Sequence, residues 1–358
     1  MPDSLDEAIA LMRYSDFLSK MTVIVNKVDM YMSFVVLPLS LVILLLSAVS
    51  VPKSLTRTFC LHMSVQCLLA SVYYMGTEIY KEIYTRNYSI VDDRYRKFAD
   101  IWNSLLDPIR IVLKCFLSSS YLFFGTLTVV ISYLGYCFPF GFQRLTKNRF
   151  IVALVIFSIY VLSLSSSLLR YTPMFFRFFD DLDSVSRHSF IIHKVANLIM
   201  RLSCYIIMLF AYGKSLHEIV VTFLRKSSLN SSSKEAYWTN LKAILIYCTA
   251  PNLLAAITIA SDICDFVVEY YKDVSTGRTM GSWFVYRAVE LELFASATIN
   301  LRFCISFVTA LIGLRDYRNG LIRSVHVLFR CCIPKNVRGR VRATPVQSVS
   351  LNVMTSHE

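Results

Sequence analysis

Charged side chains are scarce in this sequence. Asp, Glu, Lys and Arg make up 17% of the 358 residues, whereas hydrophobic residues make up 55% and the mean hydropathy is +0.53. A soluble globular domain uses about 25% charged residues to cover its surface. The composition therefore excludes an ordinary soluble domain and predicts a protein whose solvent is a lipid bilayer.

Motifs for catalysis and metal binding are missing as well. The ten cysteines include no Cys-x-x-Cys spacing, and there is no glycine-rich phosphate loop, no Gly-x-Ser-x-Gly and no His-x-x-x-His pair in an apolar stretch. These absences predict a protein that is not an enzyme and holds no cofactor or metal. The net charge of +13 is spread over loops and the C-terminal tail without a nucleic-acid-binding motif, so we expect no nucleic-acid partner.

Long apolar runs are abundant, and about 20 such residues span the roughly 30 Å of hydrocarbon in a bilayer. Four runs contain no Asp, Glu, Lys or Arg: Met30–Val51, Cys115–Tyr136, Phe150–Leu169 and Ala243–Ser261. Three more have the right length but contain polar residues: Thr58–Thr77, Phe190–Gly213 and Leu293–Leu314. Backbone groups in lipid must be satisfied within their own segment, which favours helices. The sequence predicts an all-α membrane protein, a seven-transmembrane helix bundle spanning residues 30–313.

The orientation of the chain in the membrane is predicted from the N-terminal segment and from the charges of the loops. Residues 1–29 have no basic start leading into a short apolar core, so we expect no cleaved signal peptide. The charges of the loops and the basic tail favour an extracellular N-terminus. Lys and Arg are nearly equal in number on the two sides, but they are denser in the shorter loops that share a side with the C-terminus. Asn87-Tyr88-Ser89 is a glycosylation acceptor on the predicted outer side, although Asn230-Ser231-Ser232 lies on the opposite one.

The segment after the last span is amphipathic. Apolar residues recur at helical spacing over residues 314–332 with arginines on the other face, which predicts a juxtamembrane amphipathic helix on the membrane surface. It ends in Cys331 and Cys332, a pair suited to S-palmitoylation, the alternative being two unmodified thiols. Residues 333–358 are polar and aperiodic, and we expect a disordered cytoplasmic tail.

Seven predicted helices, a basic third inner loop, an amphipathic helix after the last span and a Ser/Thr-bearing tail together resemble a G-protein-coupled receptor. Local similarities to these receptors are the basic first loop from Lys53 to Arg57, the region of His62, and Leu314-Arg315-Asp316-Tyr317-Arg318. The closest resemblance is to the nematode serpentine chemoreceptors. It implies a small-molecule ligand, a heterotrimeric G protein as partner, and a chemosensory, olfactory role in the plasma membrane, including the ciliary membrane of sensory neurons.

The rhodopsin-like motifs are absent. No Asp/Glu-Arg-Tyr follows the third span, no Asn-Pro-x-x-Tyr occurs in the seventh, and the 170–194 loop has no cysteine to pair with Cys115. Cys115 and Cys264 could bridge one another or remain free. These absences count against an amine or peptide receptor more than against a diverged chemoreceptor.

Candidate ligand residues lie on two polar helix faces and at the top of the third span. His193, Asn197 and Arg201 are spaced by four, and Thr298 and Arg302 begin a similar stripe in the seventh span. Together with Lys114, these residues form our predicted ligand site. An arginine near mid-span costs about 2.5–3.5 kcal/mol on insertion scales unless it is paired or hydrated. Arg302 is therefore either a structural hub or a contact for a ligand carboxylate, or a switch broken on activation.

Other charged residues are assigned to the two surfaces. Asp262, Asp265, Glu290 and Glu292 read as interfacial charges that reach water. Pro251 inside the sixth span permits a kink about which the inner half could swing. The predicted contacts for a G protein are basic residues at the inner loop ends: Arg144, Lys147, Arg149, Arg225, Lys226, Arg315 and Arg318.

The main alternative is an inverted-topology ligand-gated channel resembling the insect gustatory receptors, which also have seven spans but an inner N-terminus. Such channels end soon after the last span, whereas this chain continues with a basic tail. A transporter would more often show internal duplication, which is absent here.

Overall fold

The structure is a computed structural model that describes residues 5–52, 55–87, 93–138, 140–142, 147–179, 186–225, 253–267, 270 and 282–332. All regular structure within these ranges is α-helical. The helices are α1 Leu5–Val49, α2 Leu55–Asn87, α3 Asp93–Cys137, α4 Arg149–Phe179, α5 Ser186–Arg225, α6 residues 253–267, α7 Ser282–Gly313 and α8 Arg315–Cys332.

Six of the described helices are long and apolar enough to cross a membrane, which makes the chain a multi-pass helical membrane protein. Their candidate spans are Val23–Val49, Arg57–Tyr84, Pro108–Gly135, Arg149–Arg170, Ile191–Glu218 and Leu293–Gly313. They coincide with six of the seven predicted spans. The remaining one, Ala243–Ser261, is described only from residue 253, so the seventh crossing stays a prediction. Pro251 and the tail 333–358 also lie outside the described residues.

Helix α1 is longer than hydropathy predicts. It begins at Leu5, inside the segment expected to be an extracellular terminus, and its candidate span begins at Val23 rather than at Met30. Asp29, which was predicted to lie outside the first span, is completely buried and paired in the folded protein.

Small hydroxylated residues let α1 approach its neighbours closely. Ser33, Ser40 and Ser47 recur every seven residues and are fully buried, and α1 packs against α2, α7 and α8. The hydroxyls of Ser33 and Ser40 donate to the carbonyls of Asp29 (2.7 Å) and Val36 (2.6 Å). Both hydroxyls are therefore hydrogen-bonded within α1 although they are buried. Large apolar residues such as Phe34 and Leu45 instead face outward, as lipid contact requires.

Helix α3 occupies the centre of the bundle. Residues 117–124 are buried on every side, and the helix packs against α2, α4, α5 and α7. A helix that is buried all round belongs in the interior of a bundle. Helix α3 therefore contacts α2 and α7 as well as α4 and α5.

Helix α8 starts directly after α7 and turns back onto α1. Tyr317 is 1% exposed, and its hydroxyl is hydrogen-bonded to Ser47 Oγ at 2.7 Å. Gly320 lies so close to α1 that an added Cβ would come within 3.2 Å of Ser50 Cβ and 3.4 Å of Leu46 Cδ2. The predicted helix over 314–332 is thus present as α8, while its position on a membrane surface stays a prediction.

Candidate functional site

Buried charges gather at one end of the bundle in two groups. The first, which we call the Asp29 cluster, consists of Asp29, Glu78, Arg110, Lys114 and Asn300. The second, the Asp262 cluster, consists of Arg170, Lys194, Arg201, Asp262 and Asp265. We call this end of the bundle the charged end, and the opposite end, where α8 begins, the α8 end.

The Asp29 cluster joins four helices. Asp29 on α1 forms an ion pair with Lys114 on α3, and Asn300 Nδ2 on α7 donates to Asp29 Oδ1 at 3.1 Å. Arg110, one turn before Lys114, pairs with Glu78 on α2, and its Nη2 lies 3.8 Å from Asp29 Oδ2. Two cations thus balance two carboxylates in a place that water barely reaches.

Further contacts fix the guanidinium of Arg110. It lies 5.3 Å from the centre of the Tyr74 ring, in cation–π geometry, and its Nη2 donates to the carbonyl of Asn26 at 3.2 Å. The charges of the Asp29 cluster are paired and hydrogen-bonded across α1, α2, α3 and α7. We therefore interpret this cluster as a structural clamp that holds the four helices together.

The Asp262 cluster joins α4, α5 and α6. Asp262 Oδ1 accepts from Arg170 Nη1 at 2.9 Å, while its Oδ2 lies 3.1 Å from Arg201 Nε. Asp265, one turn later, accepts from Lys194 Nζ at 2.9 Å and lies 4.0 Å from Arg170 Nη2. Three cations therefore surround two carboxylates.

The predicted ligand residues on α5 contact different neighbouring helices. Arg201 is 1% exposed and also donates from Nη2 to Ser118 Oγ on α3 at 3.2 Å. Asn197 Oδ1 accepts from Ser166 Oγ on α4 at 2.6 Å, and Ser166 is hydrogen-bonded to Ser119 at 2.9 Å. His193 is partly buried. The polar face of α5 thus lies inside the bundle and connects α3, α4 and α6.

The two predicted ligand residues on α7 contact each other. Arg302 is 2% exposed, and its Nη2 donates to Thr298 Oγ1 and to the carbonyl of Ala295, both at 3.1 Å. Its Nε is buried without a hydrogen-bond acceptor. No carboxylate of the described residues pairs with it, although Arg201, Asp262 and Tyr121 lie within electrostatic range.

The sequence analysis missed several members of these clusters. Asp29, Arg110 and Arg170 fell in or at the edge of predicted loops, and Glu78 followed the predicted second span. A signal for the Asp29 cluster was present, since Arg110 and Lys114 are separated by one helical turn next to an apolar span. Asp262 and Asp265, expected to reach water, are instead buried or partly buried in ion pairs.

Two cavities lie in the half of the bundle nearer the α8 end. One has a volume of about 60 Å³ and opens between α2, α3 and α7 beside Tyr121, Phe303 and Ser306. The other, of about 80 Å³, lies between α2, α3 and α4 beside Phe59 and Val155. Each holds about two or three water-sized groups, and none of the predicted ligand residues lines either cavity.

The predicted G-protein contacts that the structure describes come together at the α8 end. Lys147, Arg149, Arg315 and Arg318 are exposed there, and Arg318 Nη1 donates to the carbonyl of Ile312 at 3.3 Å. Arg144 and Lys226 lie outside the described residues, as do the side chains of Arg225, Cys331, Cys332 and Asn87. Cys115 and Cys264 are free thiols, so the bridge between them is not formed.

Comparison of the chain with protein-family models and with curated proteins gave no match. The assignment of a function therefore rests on the geometry of the bundle and on the architectural resemblance.

Proposed function

We propose that the protein is a chemosensory receptor of the G-protein-coupled type, which binds a small extracellular ligand within the helix bundle and signals to a cytoplasmic heterotrimeric G protein. The observation that carries the proposal is the docking of α8. This helix follows the last span without a linker, packs on α1 through Tyr317 and Gly320, and lies at the end where the basic residues are exposed.

The two ends of the molecule suit opposite roles. Asp29 and Ser47 are 18 residues apart on α1, about 27 Å along a helix, so the charged end and the α8 end are separated by most of a bilayer. In the proposed orientation the charged end faces outward, where a ligand arrives. The α8 end then faces the cytoplasm, with Lys147, Arg149, Arg315 and Arg318 available to an acidic protein surface.

The proposed mechanism is a shift of population between two helix arrangements. The Asp262 cluster ties α4 and α5 to α6, so it opposes movement of α6. A ligand that binds better to the arrangement in which these ion pairs are broken would favour that arrangement. The kink that Pro251 permits in the predicted sixth span would then allow the inner half of that span to swing and open a cleft at the α8 end.

Topology tests the proposal most directly. An epitope tag fused before Met1 is expected to bind antibody on intact cells, and a tag fused after Glu358 only after permeabilisation. The reverse labelling would indicate the inverted, gustatory-type channel, and labelling of both tags on one side would remove the receptor function.

A second experiment tests coupling. Cells that express the chain are screened with small odorants and a G-protein readout, and the double variant Arg315→Glu with Arg318→Glu is expected to abolish the response. The matched control is Arg287→Glu, an exposed arginine of α7 at the charged end. An unchanged response in the α8 variant would contradict G-protein docking at this end.

A further inference from the structure

We propose that an anionic phospholipid binds at the α8 end of the bundle, with part of an acyl chain in the cavity between α2, α3 and α4 and its phosphate at Lys147 and Arg149. The site rests on three observations: the apolar wall of this cavity, its position near the membrane interface, and the two cations beside it. Binding does not depend on a receptor function. Only the assignment of the lipid to the cytoplasmic leaflet rests on the proposed orientation.

The wall of the cavity is made of hydrocarbon side chains alone. They include Phe59 on α2, Leu134 on α3 and Val155 on α4. A cavity without polar groups offers water no hydrogen bonds, so it stays dry and accepts apolar groups. Its volume of about 80 Å³ has room for about three groups of the size of a methylene.

The cavity reaches the surface of the bundle near the ends of two spanning helices. Phe59 and Ile156 are buried, but the other side chains of the wall are partly exposed. Leu134 lies in the last turn of α3, and Ile151 lies in the first turn of α4. The ends of spanning helices lie near the membrane interface, where acyl chains of phospholipids are the most abundant hydrocarbon.

Two cations lie beside the cavity. Phe142 and Ile151 both line it, and Lys147 and Arg149, which are exposed, lie between these two residues in the chain. Asn148 caps α4 through its Oδ1, which fixes the chain between the two cations. Each Lys or Arg at the membrane surface strengthens the binding of an anionic lipid about fivefold.

The combination of an apolar cavity with two cations indicates which molecule binds. A neutral lipid fills the cavity but gains nothing from the cations, and an inorganic anion gains nothing from the cavity. An anionic phospholipid gains from both, because its phosphate stays at the interface while its acyl chain enters the bundle. Such a lipid contacts α2, α3 and α4 together, so its binding stabilises their packing.

The proposal is tested on the purified full-length protein in a neutral detergent. Bound lipid is counted by native mass spectrometry, and the midpoint of thermal unfolding is followed in parallel. Phosphatidylglycerol is compared with phosphatidylcholine of the same acyl chains and with inorganic phosphate. Phosphatidylglycerol is expected to bind in a saturable way, about 10-fold or more tighter than phosphatidylcholine, and to raise the midpoint. Phosphate is expected to leave the midpoint unchanged.

The double variant Lys147→Gln with Arg149→Gln tests the contact with the phosphate. It is expected to bind the two lipids with equal affinity, since it lacks both cations. The matched control is Lys20→Gln with Lys27→Gln, which removes two exposed lysines of α1 at the charged end and is expected to keep the preference of the wild type. Equal loss in both double variants would overturn the proposal, because the preference would then follow net charge alone.

The variant Val155→Phe tests the contact with the acyl chain, because the larger side chain fills the cavity from α4. It is expected to weaken the binding of phosphatidylglycerol by about 10-fold or more, as the loss of a few buried methylene groups does. Leu154→Phe is the matched control, since Leu154 is 52% exposed and does not line the cavity. Ile151→Phe provides the same test if Val155→Phe does not fold.

Three results would overturn the proposal: wild-type binding by the variants that fill the cavity, equal affinity of the wild type for the two lipids, or a midpoint shift by phosphate as large as that by phosphatidylglycerol. No ligand or G protein is present in these assays. They therefore leave the receptor function to the topology and coupling experiments, and the coupling variant changes Arg315 and Arg318, neither of which lines this cavity.

Discussion

At the scale of single residues, the most consequential pairing is that of Asp29 with Lys114. Asp29 is 0% exposed, and hydrophobic surroundings would make either charge alone very unfavourable. The pair also decides where the first span begins, because a neutralised Asp29 can lie inside the bundle. In the sequence, Asp29 and Lys114 look like ordinary charges at the membrane interface. In the folded protein they form a buried ion pair between α1 and α3.

The first prediction concerns this pair. Asp29→Asn removes the carboxylate that forms an ion pair with Lys114 and is expected to destabilise the protein by about 3–5 kcal/mol, measured as the change in unfolding free energy in detergent. The matched control is Asp16→Asn, which breaks a pair with Lys20 that is 64% and 71% exposed; surface pairs contribute about 0–1 kcal/mol. Adding Lys114→Met to Asp29→Asn is expected to restore part of the loss. Equal stabilities of the two single variants would refute the clamp.

Tyr317 provides a prediction on pH. Burial raises the pKa of its phenol well above the ordinary value, so the undocked side chain ionises first as the pH rises. The stability from the neutral phenol is therefore fully present below about pH 10, the ordinary pKa of tyrosine, and is lost progressively above it.

The comparison is between the wild type and Tyr317→Phe. The difference between their unfolding midpoints is expected to stay constant from pH 7 to about pH 10 and to move in favour of Tyr317→Phe above that range. A difference that stays constant above about pH 10 as well would mean that the hydroxyl is not buried against Ser47.

At the scale of helices, the close approach of α8 and α1 depends on Gly320. The first atom of any side chain there would lie 3.2 Å from Ser50 Cβ, so a large residue cannot be accommodated while both helices stay in place. The Ser47–Tyr317 hydrogen bond lies one turn away on the same interface. The position of α8 is thus set by packing as well as by the preference of its sequence for a membrane surface.

The prediction at this scale is that Gly320→Leu separates α8 from α1. Hydrogen exchange of the α8 amides is expected to become faster, since the helix loses its buried face. Gly213→Leu serves as the control, because a Cβ at that position has nothing within 4 Å. Equal exchange of α8 in both variants would show that the helix does not depend on this contact.

At the scale of the whole molecule, the two ends of the bundle differ. Buried ion pairs hold the helices together at the charged end, four of the predicted G-protein contacts are exposed at the α8 end, and α3 runs through the centre between them. If the protein is a receptor, the Asp262 cluster stabilises the arrangement without ligand. Breaking it would favour the other arrangement.

The corresponding prediction is that Asp262→Asn raises ligand-independent G-protein activation by about 5-fold or more, as a coupling of about 1 kcal/mol would. Activation is measured in cells and divided by the amount of protein at the surface. Glu290→Gln is the control, since it breaks an ion pair that is exposed. Lower or unchanged basal activation for Asp262→Asn would contradict the proposed switch.

Much of the fold followed from local properties of the chain. Long apolar runs such as those around Leu45 and Ile159 predict helices in lipid wherever they occur, because the backbone has no other partner there. The helix after Leu314 was visible for a similar reason, as its apolar residues recur at helical spacing. The burial of Arg201 and Arg302 could also be predicted without knowing which residues contact them, since neither side chain can face hydrocarbon.

The partners of those side chains could not be derived in the same way. Asp29 pairs with a residue 85 positions later and with Asn300, and Asp262 is reached by arginines of two other helices. Hydropathy adds up residues along the chain and treats each charge as if it were alone. It therefore placed Asp29, Arg110 and Asp262 at the membrane surface, where an unpaired charge would have to be.

The sequence by itself determined that this protein is helical, that it crosses the membrane several times and that a basic amphipathic helix follows the last span. These properties depend on the transfer of each segment from water into lipid, which is a sum over neighbouring residues. The tertiary structure alone decided which buried charges form ion pairs with one another and why Gly320 must be small. Those outcomes depend on contacts between helices that are distant in the chain, which a sum over neighbouring residues does not contain.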